Sequence, residues 1–462
     1  MAKNPACFRR PVLCPLSARN ASASTARRAA RELFRSPAIP AASPHRSRPI
    51  SRSRDITRQR DLHESRPLWA GSPRLALRAR QRPSQTDHDV IIVGAGISGA
   101  LVAHALADGR RSILVVDRRV PVHGSTLAST AMIQHEIDIP LSRLSQMIGA
   151  PKARRAWQRS ARAVERLSET VADLGLSCGF ARKQTLFLAG DVYGHRALAA
   201  EVEARRAAGI AADYLDAATL AERFSIQRTG AILSDISAAA NPAQMAAGIL
   251  RAAMARGVEL ASPLEITDLR ATGDRVFLAT SDGRILSAGH AVFCSGYEFL
   301  EAVADREHAI VSTWALATPP GTPLPHWLKD CIVWEGADPY LYLRRTRDGR
   351  LIVGGEDEDS AEAYASATKL RKKAAAIRRK AEAVLGLALP EPDHVWAAPF
   401  GTTRTGLPLI GRVPGLENVF AVMGFGGNGI TFSQIAAEIV AAEIAGHADA
   451  DADLFAFRGR PA

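Results

Sequence analysis

The sequence predicts an α/β fold combined with an α+β part. Three observations carry this. A short apolar run, Val90 to Val93, leads into a turn with glycines at 94, 96 and 99, and an apolar helical stripe follows. Residues 264–293 read as a meander, and residues 305–395 as aromatic-rich strands followed by one long charged helix. Near the C-terminus, VMGFGGNGITFSQ returns to strand, glycine turn and helix, with Gly424, Gly426 and Gly429 in the spacing of the first turn.

Each element has a local cause. Val90-Ile91-Ile92-Val93 is apolar on both faces, as a buried parallel strand requires. Ile97, Leu101 and Ala105 recur four apart, and Gly109 supplies the residue that ends this helix. Ile113 to Val116 form the next strand and close at Asp117, which completes a βαβ unit. Pro151 opens a long helix with the stripe Trp157, Ala161, Val164, Leu167, Val171, Leu174. Thr185 to Ala189 reads as a strand and His195 to Ala208 as a helix. Asp216 caps a short helix ending near Phe224. Asn241-Pro242 gives a cap and an N1 proline to a helix that stops at Gly257. The meander turns at Thr272-Gly273-Asp274 and at Asp282-Gly283. Strand-like pieces at 311–316, 332–334, 340–343 and 351–353 then predict an antiparallel sheet, and 362–385 a helix.

Length and charge set limits. The chain has 462 residues, enough for two or three domains. Its net charge of +12 belongs to the first 87 residues, which hold nineteen basic and five acidic side chains. The other 375 hold 40 basic and 42 acidic ones. This argues against a nucleic-acid partner for the body of the chain. KLRKKAAAIRRK at 369–380 reads as the solvated face of a helix, with Leu370, Ala374, Ile377, Ala381 and Val384 on the buried side. No apolar run reaches the roughly 18 residues of a membrane span. Cys178, Cys294 and Cys331 show no metal-ligand spacing, so no metal site is expected, and a reducing, cytoplasmic setting fits.

Residues 1–87 are expected to be a disordered basic tail, since they hold too little apolar surface to offset the entropy of ordering. Three readings of the tail stay open: an organelle-targeting peptide, a nucleic-acid or membrane-surface arm, or an upstream extension without function. The next methionine after Met1 is Met132. The remaining boundaries place a cofactor domain over 88–180, 226–304 and 396–462, and a substrate domain over 181–225 and 305–395.

In GAGISG, Gly94 makes the tight turn, Gly96 lets backbone approach a pyrophosphate, and Gly99 lets helix pack on strand. The helix N-terminus offers N–H groups to phosphate. Asp117, 18 residues after Gly99, stands where an acid binds the ribose. Small hydroxyl residues in GSTLASTAMIQHE suit the second phosphate of a long cofactor. A second dinucleotide site at Gly424–Gly429 has no room, because only sixteen residues follow Gly446.

GAGISG, VVDRR, GSTLASTAMI, AVFCSGYE and GLPLIGRVPGLENVFAVMGFGGNGITFS together resemble the D-amino-acid-oxidase-type family of FAD-dependent oxidoreductases. That family includes glycine oxidase, sarcosine oxidase and D-amino-acid dehydrogenases. The resemblance implies a discontinuous Rossmann-type FAD-binding domain beside an antiparallel-sheet substrate domain. It implies one FAD held by Gly94, Gly96, Ile97, Ser98 and Gly99, by Asp117 and Arg118, and by Ser125, Thr126, Ser129, Thr130 and Ala131. Ile266, Gly296 and Gly424 follow, and Gly427, Asn428, Gly429 and Ile430 face the pyrimidine side of the flavin. No cysteine lies near Ile430 or Thr130, so attachment is expected to be non-covalent.

The resemblance also implies hydride transfer from a small amine or amino acid to flavin, with oxygen or another acceptor taking the electrons. Tyr340, Tyr342 and Arg344 share strand parity and are candidates for the substrate wall. His135, with Gln134, is a further candidate. The family's carboxylate-binding Arg falls on Phe400 here; Arg404 lies four residues on, and Thr405 replaces a usual Asp. Two rivals remain: a flavin-dependent dehydrogenase of a hydroxy acid or polyol, and a flavoprotein whose FAD is structural.

Overall fold

The computed structural model describes residues 56–304 and 308–457. In the first sheet the order is Leu409–Arg412, Val419–Met423, Ile285–Phe293, Asp87–Val93, Ile113–Val116, Glu259–Ala261. Every pairing along this order is parallel except the edge pair of Leu409–Arg412 with Val419–Met423. Ile91, Ile92, Leu114, Val115 and Val292 are fully buried. Burial on both faces is why these strands read as unbroken apolar runs.

The two faces have different covers. Ile92, Val115 and Val292 point to helices Ile97–Leu106, Pro242–Ala255 and Gly429–Ile444, which pack together. Ile91, Leu114 and Phe293 point to the hairpin of Ile266–Thr272 and Arg275–Thr280. Asn241 accepts the Ala243 and Gln244 N–H groups, so the expected cap starts the second helix.

The second sheet runs His394–Thr403, His308–Ala317, Leu351–Glu358, Leu341–Arg345, Cys331–Gly336, Ala181–Ala189, Gly230–Ala239, Met132–Gln134. It is antiparallel but for one parallel pair, Cys331–Gly336 with Ala181–Ala189. Met132–Gln134, Gly230–Ala239 and His394–Thr403 pair here, although the sequence-drawn boundaries assign most of them to the cofactor domain. Helix Ala367–Leu385 covers this sheet with the expected stripe Leu370, Ala374, Ile377, Ala381, Val384. It starts five residues later than expected because Ser366 accepts the Lys369 N–H and caps it.

The tail expectation needs correction over 56–87; residues 1–55 lie outside the described part. Arg58 N–H donates to Phe299 O at 2.9 Å, and Glu64 N–H to Ala397 O at 2.8 Å. Leu62 and Trp69 are buried, and Trp69 Nε1 donates to Ser129 O at 2.7 Å. Apart from the short 3-10 turn Leu68–Gly71, the segment lacks periodicity because it borrows its backbone partners from both sheets and an adjoining loop.

Candidate functional site

One cavity is lined by residues from both sheets, and both glycine turns open on it. At the first turn, Gly94 sits at φ 114° with the Cys294 carbonyl where a Cβ would go. A Cβ on Gly99 would strike the Gly94 carbonyl. Gly96 has an ordinary φ, and a Cβ there would meet only Thr126 Oγ1, at 3.1 Å on the cavity wall. Asp117 takes the Ala95 N–H at 2.7 Å and the Arg119 N–H at 2.8 Å, one on each oxygen. Burial raises its carboxyl above the usual range against the pull of those donors.

Residues 125–131 curve along the cavity and are clamped from behind. Trp396 Nε1 donates to Ala128 O at 2.9 Å, Trp69 to Ser129 O, and Arg344 Nε to Thr130 O at 2.6 Å. Ser125, Thr126, Ser129 and Thr130 face inward. Ser125 Oγ is buried with no hydrogen-bond partner, so the wall presents an unused polar atom. Farther along, Arg118 and Arg119 both bind Glu298, which also takes the Arg60 N–H at 2.9 Å. Burial pushes the Glu298 carboxyl up, but Arg119 and Arg118 hold it below the usual range. Ile266 and Gly296 line this region.

The other end is aromatic. Tyr340 and Tyr342 stand 5.8 Å apart, Tyr297 meets Phe425 edge-on, and Phe400 and Trp334 complete the wall. Gly354 leaves the space that the Tyr342 ring fills. The late turn is anchored to residues 134–138. Gly427 N–H donates to Asp138 Oδ2 at 2.9 Å, Asn428 Nδ2 to Glu136 O, and Thr431 Oγ1 to Gln134 O at 2.8 Å. Gly427, Asn428, Gly429 and Ile430 line the cavity, yet the Gly427 N–H is already engaged by Asp138.

Several expected residues lie off the wall. His135 is fully buried, with Nδ1 2.7 Å from Ile236 O and its ring edge on Trp157. Strand alternation explains it: Gln134 and Glu136 face the cavity, and His135 faces the opposite way. Arg344 shares the parity of Tyr342 but lies past the cavity rim, bound to Thr130 O and Ala240 O. Arg404 is exposed and off the wall. Ala131, at φ 52°, and Gly424, at φ 71°, shape the turns without lining the cavity.

Residues that the sequence reading passed over include Asp138, Tyr297, Thr313, Trp334 and Leu62. Tyr297 had a signal, since it directly follows Gly296. Asp138 and Leu62 had none, because their places on the wall are set by residues far along the chain, Gly427 for Asp138 and Gly124 for Leu62.

A parallel-sheet crossover with a glycine turn, opening on one cleft that ends in an aromatic chamber, defines a dinucleotide-dependent redox protein. The chain belongs to the FAD-dependent oxidoreductase family of D-amino-acid-oxidase type, whose family model matches residues 89–443. It is similar in fold to glycine oxidase from Geobacillus kaustophilus (TM-score 0.68, 20% identity, 82% of this chain and 100% of that one). L-proline dehydrogenase from P. horikoshii gives TM-score 0.66 and 18% identity, over 80% of this chain and 96% of that one. A Bacillus subtilis protein, YhfW, whose name assigns it a Rieske 2Fe-2S centre, is 20% identical over 363 residues, 77% of this chain and 68% of that protein. Among the described residues no group of His, Cys, Asp or Glu is placed to hold a metal. None of their helices is long and apolar enough to cross a membrane.

The residues present fit FAD. The turn leaves Cβ-free space at Gly96, Ser125 offers an unpaired hydroxyl, and the aromatic end offers flat apolar walls. Ile56, Thr57 and Leu62 close one side of this space as a strap. Deleting residues 1–66 is expected to weaken FAD retention about tenfold or more, since Ile56, Thr57 and Leu62 would no longer shield that side of the cavity from water. FAD fluorescence released on dilution measures this; unchanged retention rules out a role for the strap.

Proposed function

We propose that the chain binds one FAD non-covalently in this cavity and oxidises a small amine or amino acid at its aromatic end. The continuity of the cavity from Asp117 to Tyr340 and Tyr342 carries this reading. The Gly94–Gly99 turn and its helix N-terminus would hold the pyrophosphate, Asp117 the ribose, and Ser125, Thr126, Ser129 and Thr130 the linking chain. Gly429 and Ile430 would bring a helix N-terminus, with its partial positive charge, to the pyrimidine edge. Bound there, FAD supplies a two-electron acceptor.

The substrate loses a hydride from the carbon beside nitrogen and a proton from nitrogen. The resulting imine takes up water and gives a carbonyl compound and free amine, and oxygen or another acceptor receives the two electrons. Tyr297, Tyr340, Tyr342 and Phe400 would hold the substrate and exclude water. The three buried free thiols suit a reducing, cytoplasmic setting.

Purified protein is expected to be yellow and to release its flavin on acid precipitation. Anaerobic addition of a panel of amines and amino acids is expected to bleach it. Bleaching by hydroxy acids or polyols alone would replace the amine reading. A protein that only dithionite bleaches would point to a structural flavin.

A further inference from the structure

The aromatic end of the cavity carries negative charge and lacks positive charge. Among the described residues, the guanidinium groups on the cavity wall are Arg118 and Arg119, both bound to Glu298 at the other end. Phe400 stands on the wall, and Arg344 and Arg404 do not. Asp138 opens onto the cavity beside Gly426 and Gly427. A second acid, Asp357, stands just behind the wall.

A β-bulge sets the direction of Asp357. Ser312 pairs with Glu358 and Trp314 with Gly355, so Glu356 and Asp357 together oppose Thr313. Gly355 is at φ 134°, and Glu356, which carries a side chain, is at φ 59°. Backbone held in this region is costly and marks a position that the fold enforces. Glu356 turns to Lys373 and Lys380, and Glu358 to Lys369 and Lys373, on the covering helix. Asp357 turns inward, toward Tyr340 and Thr313. Both its carboxylate oxygens are buried and close no hydrogen bond of normal geometry, and Thr313 Oγ1 is in the same condition. Tyr340 and Thr313 both line the cavity. Burial lifts the Asp357 carboxyl to about 6, with hydroxyls of Tyr340 and Thr313 and the Lys373 ammonium opposing and Asp138 reinforcing the rise.

Asp357 is faced by two hydroxyls, and the nearby Lys373 ammonium is engaged by Glu356 and Glu358, so this buried acid gains from a further cation. Tyr340 and Tyr342 beside it, and Tyr297 near Asp138, add aromatic quadrupoles favourable to such a cation. A carboxylate brought here would meet two acids, and among the described residues no cation stands on this part of the wall. We propose that this end of the cavity selects cationic amines without a carboxylate next to the nitrogen, with Asp357 as the positioning residue that acts through Tyr340 and Thr313. The inference rests on the amine reading and narrows it. It also gives a reason for Phe400 where relatives are expected to place an arginine.

The test uses the full-length FAD-loaded protein, titrated anaerobically while flavin absorbance is followed. 3-Methylbutylamine and D- or L-leucine differ only by the carboxylate, and 3-methylbutan-1-ol is the neutral counterpart of the amine. The amine is expected to bind at least about tenfold tighter than the alcohol or either leucine. Asp357→Asn is expected to weaken the amine about tenfold and leave the alcohol within about twofold, with Asp357→Glu restoring part of the preference. A merely structural role would weaken amine and alcohol alike, and that result overturns the proposal. So does leucine binding as tightly as the amine. Bound amine that never bleaches the flavin defeats the amine-oxidation reading and leaves the charge preference standing.

Discussion

Gly96→Val is expected to give a folded protein that purifies without FAD. The three glycines of the first turn fail differently when substituted. Gly94→Ala forces a side chain into a φ of 114° and against the Cys294 carbonyl, and Gly99→Ala drives a Cβ into the Gly94 carbonyl. Both distort the junction of strand Asp87–Val93 and helix Ile97–Leu106, so both are expected to lower stability along with binding. At Gly96 the backbone suits any residue, and a Cβ meets only Thr126 Oγ1 at 3.1 Å. The branched side chain then occupies space on the cavity wall rather than in the core. Affinity for FAD is expected to fall by about 100-fold or more, because backbone can no longer approach the phosphates. The ratio of flavin to protein absorbance reads the loss. Far-UV circular dichroism and a melting temperature matching wild-type protein stripped of FAD show that the fold survives. A yellow Gly96→Val protein would mean that the pyrophosphate lies elsewhere.

The parts of the fold legible in the sequence are those with local causes. The βαβ unit was readable because its strands are buried on both faces and its turn needs glycine. The helix after Asn241 was readable because cap and proline adjoin. The long strand Gly230–Ala239 was not: LSDISAA mixes polar and small residues, since Ser234 and Ser237 are buried against side-chain partners from other elements. Ser237, for example, meets Thr185 at 2.5 Å. The acidic run at 356–359 precedes a helix, where acids suit the dipole, and nothing in the run itself sets Asp357 apart. A bulge that no sequence pattern announces separates Asp357 from its neighbours. Parity placed Tyr340 and Tyr342 together correctly, but it has no measure of how far a strand extends past a cavity, and Arg344 fell outside. His135 drew attention because histidine so often carries chemistry; its alternation with Gln134 and Glu136 would have turned it away from the cavity.

Arg205→Met is expected to be the most destabilising single change among the polar residues, at about 3–5 kcal/mol. Arg205 is fully buried over the Trp157 ring, 4.7 Å from its centroid. Nη1 lies 2.6 Å from Glu136 and Nε 2.9 Å from Glu201. Glu201 also takes the Leu141 and Ser142 N–H groups, both at 2.8 Å, and so anchors the start of helix Leu141–Ile148. Removing the cation leaves two buried carboxylates facing a methionine, and the cost is that of an unpaired charge rather than of a lost contact. Adding Glu136→Gln and Glu201→Gln is expected to recover most of the loss, since the amides still accept hydrogen bonds and carry no charge. The effect reaches the cavity, because the Glu136 carbonyl holds Asn428 at the late turn, so FAD retention is expected to fall with stability. pH supplies an independent check. Burial pushes the Glu136 carboxyl up, but the Arg205 charge, His135 and the hydrogen bonds from Arg205 and Gln134 together hold the group below its ordinary 4.5. Stability from that pair is therefore complete above 4.5 and is lost as pH falls through the lower folded value. Without Arg205 burial is opposed only by His135 and the hydrogen bond from Gln134, so the carboxyl rises and protonation costs the variant less than wild type. His135 is held below its ordinary 6.5 by burial, with the Arg205 charge adding to the lowering, so acidification costs wild type more than the variant and narrows the gap in the same direction. Urea unfolding is thus expected to show the widest gap between wild type and Arg205→Met near neutral pH, narrowing as pH falls past 6.5 and then 4.5. A gap that stays constant with pH would mean that lost packing over Trp157, not charge, is what Arg205 contributes.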